Sequence, residues 1–231
     1  MRTAVITGAA GDAGSALARR LAADGWALAL AGRRLEPLQA LAGSLAGEPG
    51  SIVTEAVDLL DADATEAWAR RVVEKLGSVD AVAHLVGGWR GGTPIGSADL
   101  GDWEALQVAL VRTLQHTSRA FLEPLKASGR GRFVIVSSPQ AQRPSSSNAA
   151  YGAAKAAAEA WTLAIADELA DHGATANIVA VNAILTDAMR AAQPEKPFTS
   201  FTPAADLADA IAWVLSDAAQ KMNGRRLVLH P

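Results

Sequence analysis

The sequence predicts an α/β domain built on one doubly wound parallel sheet of about seven strands, with helices on both faces. Three observations carry that expectation. Short apolar runs alternate with longer, Ala-rich helical stretches, the pattern of parallel strands covered on both sides. A glycine-rich turn, Thr7-Gly8-Ala-Ala-Gly11-Asp-Ala-Gly14, joins the first run to the first helical stretch. The 231 residues, 50% of them hydrophobic, suffice for one well-cored domain and are short for two, so residues 1–231 are taken as a single unit without linker or repeat.

In chain order, the first strand is expected over Thr3–Thr7 and the first helix over Gly14–Ala23. That helix stops at Asp24-Gly25, where glycine takes the left-handed C-terminal position. A strand follows at Ala27–Ala31, another at Ile52–Val57, a helix at Ala62–Leu76 and a strand at Ala81–Leu85. One long helix is expected over Asp102–Ser128, then a strand at Arg132–Ser137 and a helix over Ala150–Asp171. The Ala-dense stretch Ala153–Ala160 favours a closely packed, buried helix over low complexity, because alanine is the best helix former. Thr175–Val181 and Arg226–Leu229 complete the strands, with a helix at Ala204–Leu215 between them. Thr186–Pro203 is expected to be the most mobile segment, since Pro194, Pro197 and Pro203 oppose a long regular element.

Composition removes several function classes. A net charge of −3 without a Lys or Arg cluster offers no surface to nucleic acid. The absence of cysteine removes disulfides and thiolate metal sites, and His84, His116, His172 and His230 lack ligand spacing, so no metal is expected. The N-terminus enters an apolar strand without a signal-peptide layout, and no apolar run reaches the ~18 residues of a membrane span, so a soluble cytoplasmic protein is expected.

Gly8, Gly11 and Gly14 follow a strand and open a helix, the context in which such a pattern marks a dinucleotide-binding, Rossmann-type turn. Glycine lets the backbone approach a pyrophosphate, and the helix N-terminus offers free N–H groups to the anion. Gly8, Gly11, Asp12, Ala13 and Gly14 are therefore cofactor-binding candidates, with the Asp12 side chain expected to face solvent or cap the helix. After the second strand stand Arg33 and Arg34, where an NAD-specific site carries an acidic residue for the ribose 2′-OH. Arginine pairs with a 2′-phosphate, so NADP(H) is preferred, NAD(H) remaining the alternative if both arginines are merely solvated charges at the next helix start.

Tyr151-Gly-Ala-Ala-Lys155 stands 13 residues after Ser138. Positions i and i+4 share a helix face, so phenol and ammonium can project into one site. A cation beside a phenol favours the phenolate, which would lower a pKa that starts near ~10. Tyr-x-x-x-Lys is a common chance pattern, but the serine-rich strand end Val136-Ser137-Ser138 and the Ala-rich helix around it give it weight. Ser138 is preferred to its neighbour Ser137 on spacing. Ser145-Ser-Ser147-Asn148 is expected to supply turn and cap groups to the helix start.

The glycine turn, Asp58-Leu59 after the third strand, Gly87 after the fourth, Ser138, Tyr151-x-x-x-Lys155 and Thr186 occur in the order and spacing of the short-chain dehydrogenase/reductase family, which the whole chain resembles. The resemblance implies that Asp58 contacts adenine with Leu59 packed nearby, and that Val86 and Gly87 border the cofactor. It also implies that Ser138 positions the substrate oxygen, that Lys155 holds the nicotinamide ribose, and that Ile184 and Thr186 touch the nicotinamide end. Four departures stand out: His84-Leu85-Val86-Gly87 replaces Asn-Asn-Ala-Gly, Ala109 replaces the relay asparagine, Val181-Asn182 replaces Pro-Gly, and Asp12 replaces a glycine. These point to the dihydropteridine reductase branch, which resembles this chain in the loop Gly87-Gly88-Trp89-Arg90-Gly91-Gly92 and in the segment Asp187–Pro203. That branch differs in carrying an acidic residue after the second strand and no serine at the catalytic position.

Trp89 and Arg90 fall just beyond the nicotinamide end, where they either line a substrate pocket or form an exposed surface loop. Trp26, Trp68, Trp103, Trp161 and Trp213 are expected to pack, and His84 to be a satisfied core histidine. The expected activity is reduction of a small carbonyl or conjugated, heterocyclic compound by hydride transfer, with Tyr151 as general acid and loops 87–96 and 186–203 shaping the pocket. The competing expectation is a nucleotide-sensing protein with little chemistry, motivated by Ala109 and the altered Val181-Asn182 turn. Family members are dimers or tetramers, so a homo-oligomer is expected.

Overall fold

Along the chain run β1 (Thr3–Thr7), α1 (Asp12–Ala23), β2 (Ala27–Gly32), α2 (Leu35–Ser44), β3 (Ile52–Ala56), α3 (Ala62–Leu76) and β4 (Ala81–His84). The second half comprises α4 (Gly101–Gln107), α5 (Thr113–Ala127), β5 (Arg132–Ser137), α6 (Ala149–Leu169), β6 (Thr175–Ala180), β7 (Ala183–Leu185), α7 (Asp187–Ala192), β8 (Phe201–Pro203), α8 (Ala204–Leu215) and β9 (Arg226–Val228). The computed structural model describes residues 1–229; His230 and Pro231 lie outside the described residues, and with them the reading of His230 as a non-ligand.

Seven parallel strands form the central sheet in the order β3-β2-β1-β4-β5-β6-β9. The order reverses between β1 and β4, so the connections leaving these two strands diverge and open a crevice at their C-terminal ends. Register pairs Thr7 with His84 across that point.

Strand alternation assigns each residue to a layer. Ala4 and Ile6 of β1, with Leu28 and Leu30 of β2, face a core completed by Leu17 and Leu21 of α1, Leu38 and Leu41 of α2, and Ile211 and Leu215 of α8. Val5, Ala29 and Ala31 face the other way, onto Trp68 of α3, Phe121 and Leu125 of α5 and Leu169 of α6. Trp68 meets Phe121 edge-on at 4.9 Å between ring centroids, and burial of each such side chain stabilises the layer by roughly 1.5–3 kcal/mol. Near-continuous apolar strands are what a sheet covered on both faces requires.

The expected elements are present within a residue or two, with five differences. The helix expected over Asp102–Ser128 is interrupted: Val108–Arg112 is a π-helical turn between α4 and α5. α2 was not delimited by sequence pattern, because Pro37 lies in its first turn and only Leu38 and Leu41 are buried. Within Thr186–Pro203 the chain forms α7 and then β8, which pairs in parallel with β7 to make a small second sheet. Trp26 and Trp68 are packed, but Trp103, Trp161 and Trp213 are 39%, 40% and 44% exposed, since each stands on the outer face of its helix. Finally, Asn148 does not cap α6 with its side chain. Among the described residues no helix is long and apolar enough to cross a membrane.

Candidate active site

A cleft of about 630 Å³ opens where the strand order reverses. It gathers Gly8, Gly11, Asp12, Ala13 and Gly14 from the β1–α1 turn, Val86, Gly87 and Trp89 beyond β4, Ser138, Tyr151 and Lys155, and Ile184 from β7. Ser137, Gln140, Asn148 and Asn182 also line it.

The glycine turn is close-packed. Gly8 has φ +68°, and a Cβ there would lie 2.7 Å from the Leu85 carbonyl oxygen; one on Gly14 would lie 2.3 Å from that of Gly8. Neither position accepts a side chain without displacing backbone. No side chain caps α1, and by helix geometry the amides of Asp12, Ala13 and Gly14 have no intrahelical acceptor. Uncapped N–H groups, the positive end of a twelve-residue helix and glycine backbone bare of side chains at 8, 11 and 14 form a cradle that fits a pyrophosphate. Asp12, first residue of α1, is exposed as expected.

Ser138 ends β5, is 1% exposed, and its Oγ accepts a hydrogen bond from the Gln140 amide at 3.3 Å. It is this serine that acts on Tyr151: burial raises the phenol above its ordinary pKa, and interaction with the Ser138 hydroxyl opposes the rise. Lys155 is buried, and its Nζ donates to the Val136 carbonyl at 2.8 Å while standing 5.8 Å from the Tyr151 ring centroid. Its pKa is lowered to about 8, by burial first, with Glu159 opposing. The expected lowering of the phenol pKa is therefore corrected: the Lys155 ammonium is held by the Val136 carbonyl, and desolvation raises the phenol instead. A neutral phenol is the form that donates a proton. Ser137, the rival serine, is buried with its Oγ unpartnered beside the same cleft.

Behind Lys155, the Ala109 position has been rebuilt. Thr113 Oγ1 donates to the Ala109 carbonyl at 2.7 Å and so accepts from His84 Nε2 at 3.2 Å; His84 Nδ1 in turn accepts from Thr7 Oγ1 at 2.9 Å. Both ring nitrogens of this core histidine are satisfied, as expected. Burial, helped by the Lys155 charge, lowers the His84 pKa to about 3. The imidazole is neutral and fixed in one tautomer.

Other predicted residues stand around the cleft rather than in it. Arg33 and Arg34 are exposed at the end of β2, and Asp58 is exposed after β3 with its Oδ1 accepting from the Leu60 amide at 2.9 Å. Leu59 is buried. Thr186 borders a neighbouring cavity that shares Asp12, and its hydroxyl caps α7 by accepting from the Met189 amide at 3.1 Å. Arg90 is drawn away into an ion pair with Asp102 at 3.3 Å, whereas Trp89 does reach the cleft. The Trp89 indole N–H donates to Asn148 Oδ1 at 2.8 Å, and Gly92 N–H to the Ser147 carbonyl at 2.8 Å. A Cβ on Gly91 would meet Ser147 O at 2.9 Å, so the loop after β4 lies flat across the start of α6. Asn148 is the residue that sequence reasoning misplaced; an asparagine before a helix signals a cap, and nothing local reveals a partner 59 positions away.

A family model described as short chain dehydrogenase matches residues 2–197. The chain is similar to (2S)-[(R)-hydroxy(phenyl)methyl]succinyl-CoA dehydrogenase subunit BbsC of Thauera aromatica, at 29% identity over 98% of this chain and 92% of that protein. An acetoacetyl-CoA reductase of Allochromatium vinosum is 27% identical over 98% of this chain and 96% of its own length. Among solved structures, a short-chain type dehydrogenase/reductase from Mycobacterium ulcerans superposes with a TM-score of 0.90 at 25% identity, covering 99% of this chain and 88% of that one.

Proposed function

Given that the chain belongs to the short-chain dehydrogenase/reductase family and is an NAD(P)-dependent oxidoreductase, we propose that it reduces a small carbonyl or conjugated, planar acceptor with NADP(H). The observation that carries this reading is the convergence of Ser138, Tyr151 and Lys155 with the glycine cradle in one cleft.

Gly8, Gly11, Asp12, Ala13 and Gly14 would hold the pyrophosphate by backbone amides, Arg33 with Arg34 the 2′-phosphate, Asp58 and Leu59 the adenine, and Val86, Gly87, Ile184 and Thr186 the remainder. The exposed guanidinium of Arg33, directly after β2 where an NAD-specific site carries an acidic residue, favours the phosphorylated cofactor. When bound, the nicotinamide supplies the hydride. Ser138 orients the substrate oxygen, and the neutral Tyr151 phenol donates its proton to that oxygen as negative charge develops there. Lys155 is fixed on Val136 and steadies the anion left on Tyr151. Ala109 offers no side-chain group for a proton relay, and its carbonyl already accepts from Thr113, so we assign reprotonation of Tyr151 to solvent at the open mouth of the cleft.

Trp89, held on Asn148, gives the cleft a planar wall suited to a flat acceptor. Two of the relatives named above act on CoA thioesters, so β-ketoacyl thioesters belong in the first panel of substrates. Exposed Trp161 and Leu163 on α6, with Trp213 on α8 and Val228 on β9, are the surfaces we assign to self-association.

The test is consumption of NADPH and NADH against acetoacetyl-CoA, small ketones and quinonoid heterocycles. Sustained turnover is expected, with NADPH the tighter-binding cofactor. Tight NADPH binding without turnover of any member would favour the nucleotide sensor instead.

A further inference from the structure

Support for this site comes from the far end of the chain. Tyr151, Lys155 and Glu159 stand at successive i, i+4 positions on one face of α6, and Glu159 is 7% exposed. Its Oε1 accepts from Arg226 Nε at 3.0 Å. The same guanidinium donates through Nη2 to the main-chain carbonyl of Ser138 at 2.9 Å. Arg226 opens β9, is in register with Ile178 of β6, and its side chain is 16% exposed. One planar fork thus joins the strand end that carries Ser138 to the helix that carries Tyr151 and Lys155.

We propose that Arg226 and Glu159 are positioning residues of the reaction, the pair locking the Ser138 backbone onto α6 and giving Lys155 its counter-charge. The proposal rests on the reading of Ser138, Tyr151 and Lys155 as the reacting set. Few ionisable groups surround Lys155. Glu159, one turn along α6, raises its pKa against burial. His84 on β4 is neutral, held so by burial and by Lys155 itself. Tyr151 is a protonated phenol. Arg226 on β9 bonds Glu159 and so moderates the negative charge that Lys155 experiences. Removing either member of the pair therefore shifts Lys155 in a different direction, which loss of packing alone would not do.

The experiment is NMR titration of lysine ¹³Cε resonances in the cofactor-free protein, a readout independent of turnover. Wild-type Lys155 is expected to titrate near 8. Glu159→Gln should lower that value by about half a unit or more, and Arg226→Met should raise it, because an unneutralised carboxylate then faces the ammonium. In NADPH-dependent turnover, Arg226→Met should lower kcat at least tenfold with NADPH affinity retained, and Arg226→Lys should restore part of it. If Arg226→Met does not fold, Glu159→Gln and Arg226→Lys carry the test. Lys155 values that stay put, or move the same way in both variants, overturn the proposal. Unchanged turnover in Arg226→Met also overturns it, whatever Lys155 does, whereas opposite shifts in a protein that turns over no substrate even as wild type would uphold the hold on Lys155 and count against the reading of Ser138, Tyr151 and Lys155 as the reacting set.

Discussion

Two glycine-rich loops leave neighbouring strands at the same end of the sheet, and they are held to different degrees. In the β1–α1 turn the glycines are required by backbone: a Cβ on Gly14 would stand 2.3 Å from the Gly8 oxygen, and one on Gly8 2.7 Å from the Leu85 oxygen. In the loop after β4 only Gly91 is so crowded, a Cβ there lying 2.9 Å from the Ser147 oxygen, while Gly88 has nothing within 4 Å; the loop is pinned by the Trp89 indole on Asn148 and by the Gly92 amide on the Ser147 carbonyl. The first is a rigid cradle whose shape is set by main chain, suited to a ligand that never changes. The second is a wall pinned by one side-chain bond and one main-chain bond, with open space around Gly88. His84 staples their roots, because Thr7 precedes the first loop and His84 is three residues before Gly87.

The comparison breaks most visibly at the cradle. Gly14→Ala should destabilise the fold by about 3 kcal/mol or more, the upper range for forcing a methyl into packed backbone, and weaken NADPH binding on the order of 100-fold. Chemical denaturation and fluorescence titration measure both, and a variant as stable and as tight as wild type would show that the turn is looser than described.

The staple carries a pH signature. His84 has a folded pKa of about 3 against 6.5 unfolded, so the stability it contributes is present above 6.5 and is lost as pH falls from there toward 3. Between pH 7 and pH 5, unfolding free energy should fall by about 2 kcal/mol more in wild type than in His84→Asn, at roughly 1.4 kcal/mol per unit below 6.5. Equal slopes in urea melts at the two pH values would mean that the imidazole is solvated or charged.

The wall should show the smallest effect. Trp89→Ala is expected to change stability by less than about 1 kcal/mol and NADPH affinity by less than about threefold, while raising KM for a planar acceptor about tenfold, or ~1.4 kcal/mol. An unchanged KM would place the substrate elsewhere in the cleft.

The same contrast governs what sequence revealed. β1, β5 and the α3 and α8 boundaries were legible because apolar period and cap chemistry are local properties. The cradle was legible because its glycines, three residues apart, fall in one strand-to-helix turn. The Asn148–Trp89 bond, the Arg226 fork on Ser138 and the Thr113 hydroxyl on Ala109 were not, since each depends on packing between elements or on a π turn with no compositional mark. Spacing put Tyr151 and Lys155 on one face, yet could not show that burial would raise the phenol pKa with the Ser138 hydroxyl opposing it. Exposed Trp161 and Trp213 failed for a related reason: size predicts burial only when the helix face is known.

The central claim is that Tyr151 gives the proton in an NADPH-dependent reduction. Turnover of Tyr151→Phe on a substrate established for wild type, measured beside its NADPH affinity, tests it most directly. Loss of the phenolic proton should lower kcat by about 100- to 10,000-fold with NADPH affinity changed less than about threefold. Turnover equal to wild type, with the cofactor still bound, would contradict the account.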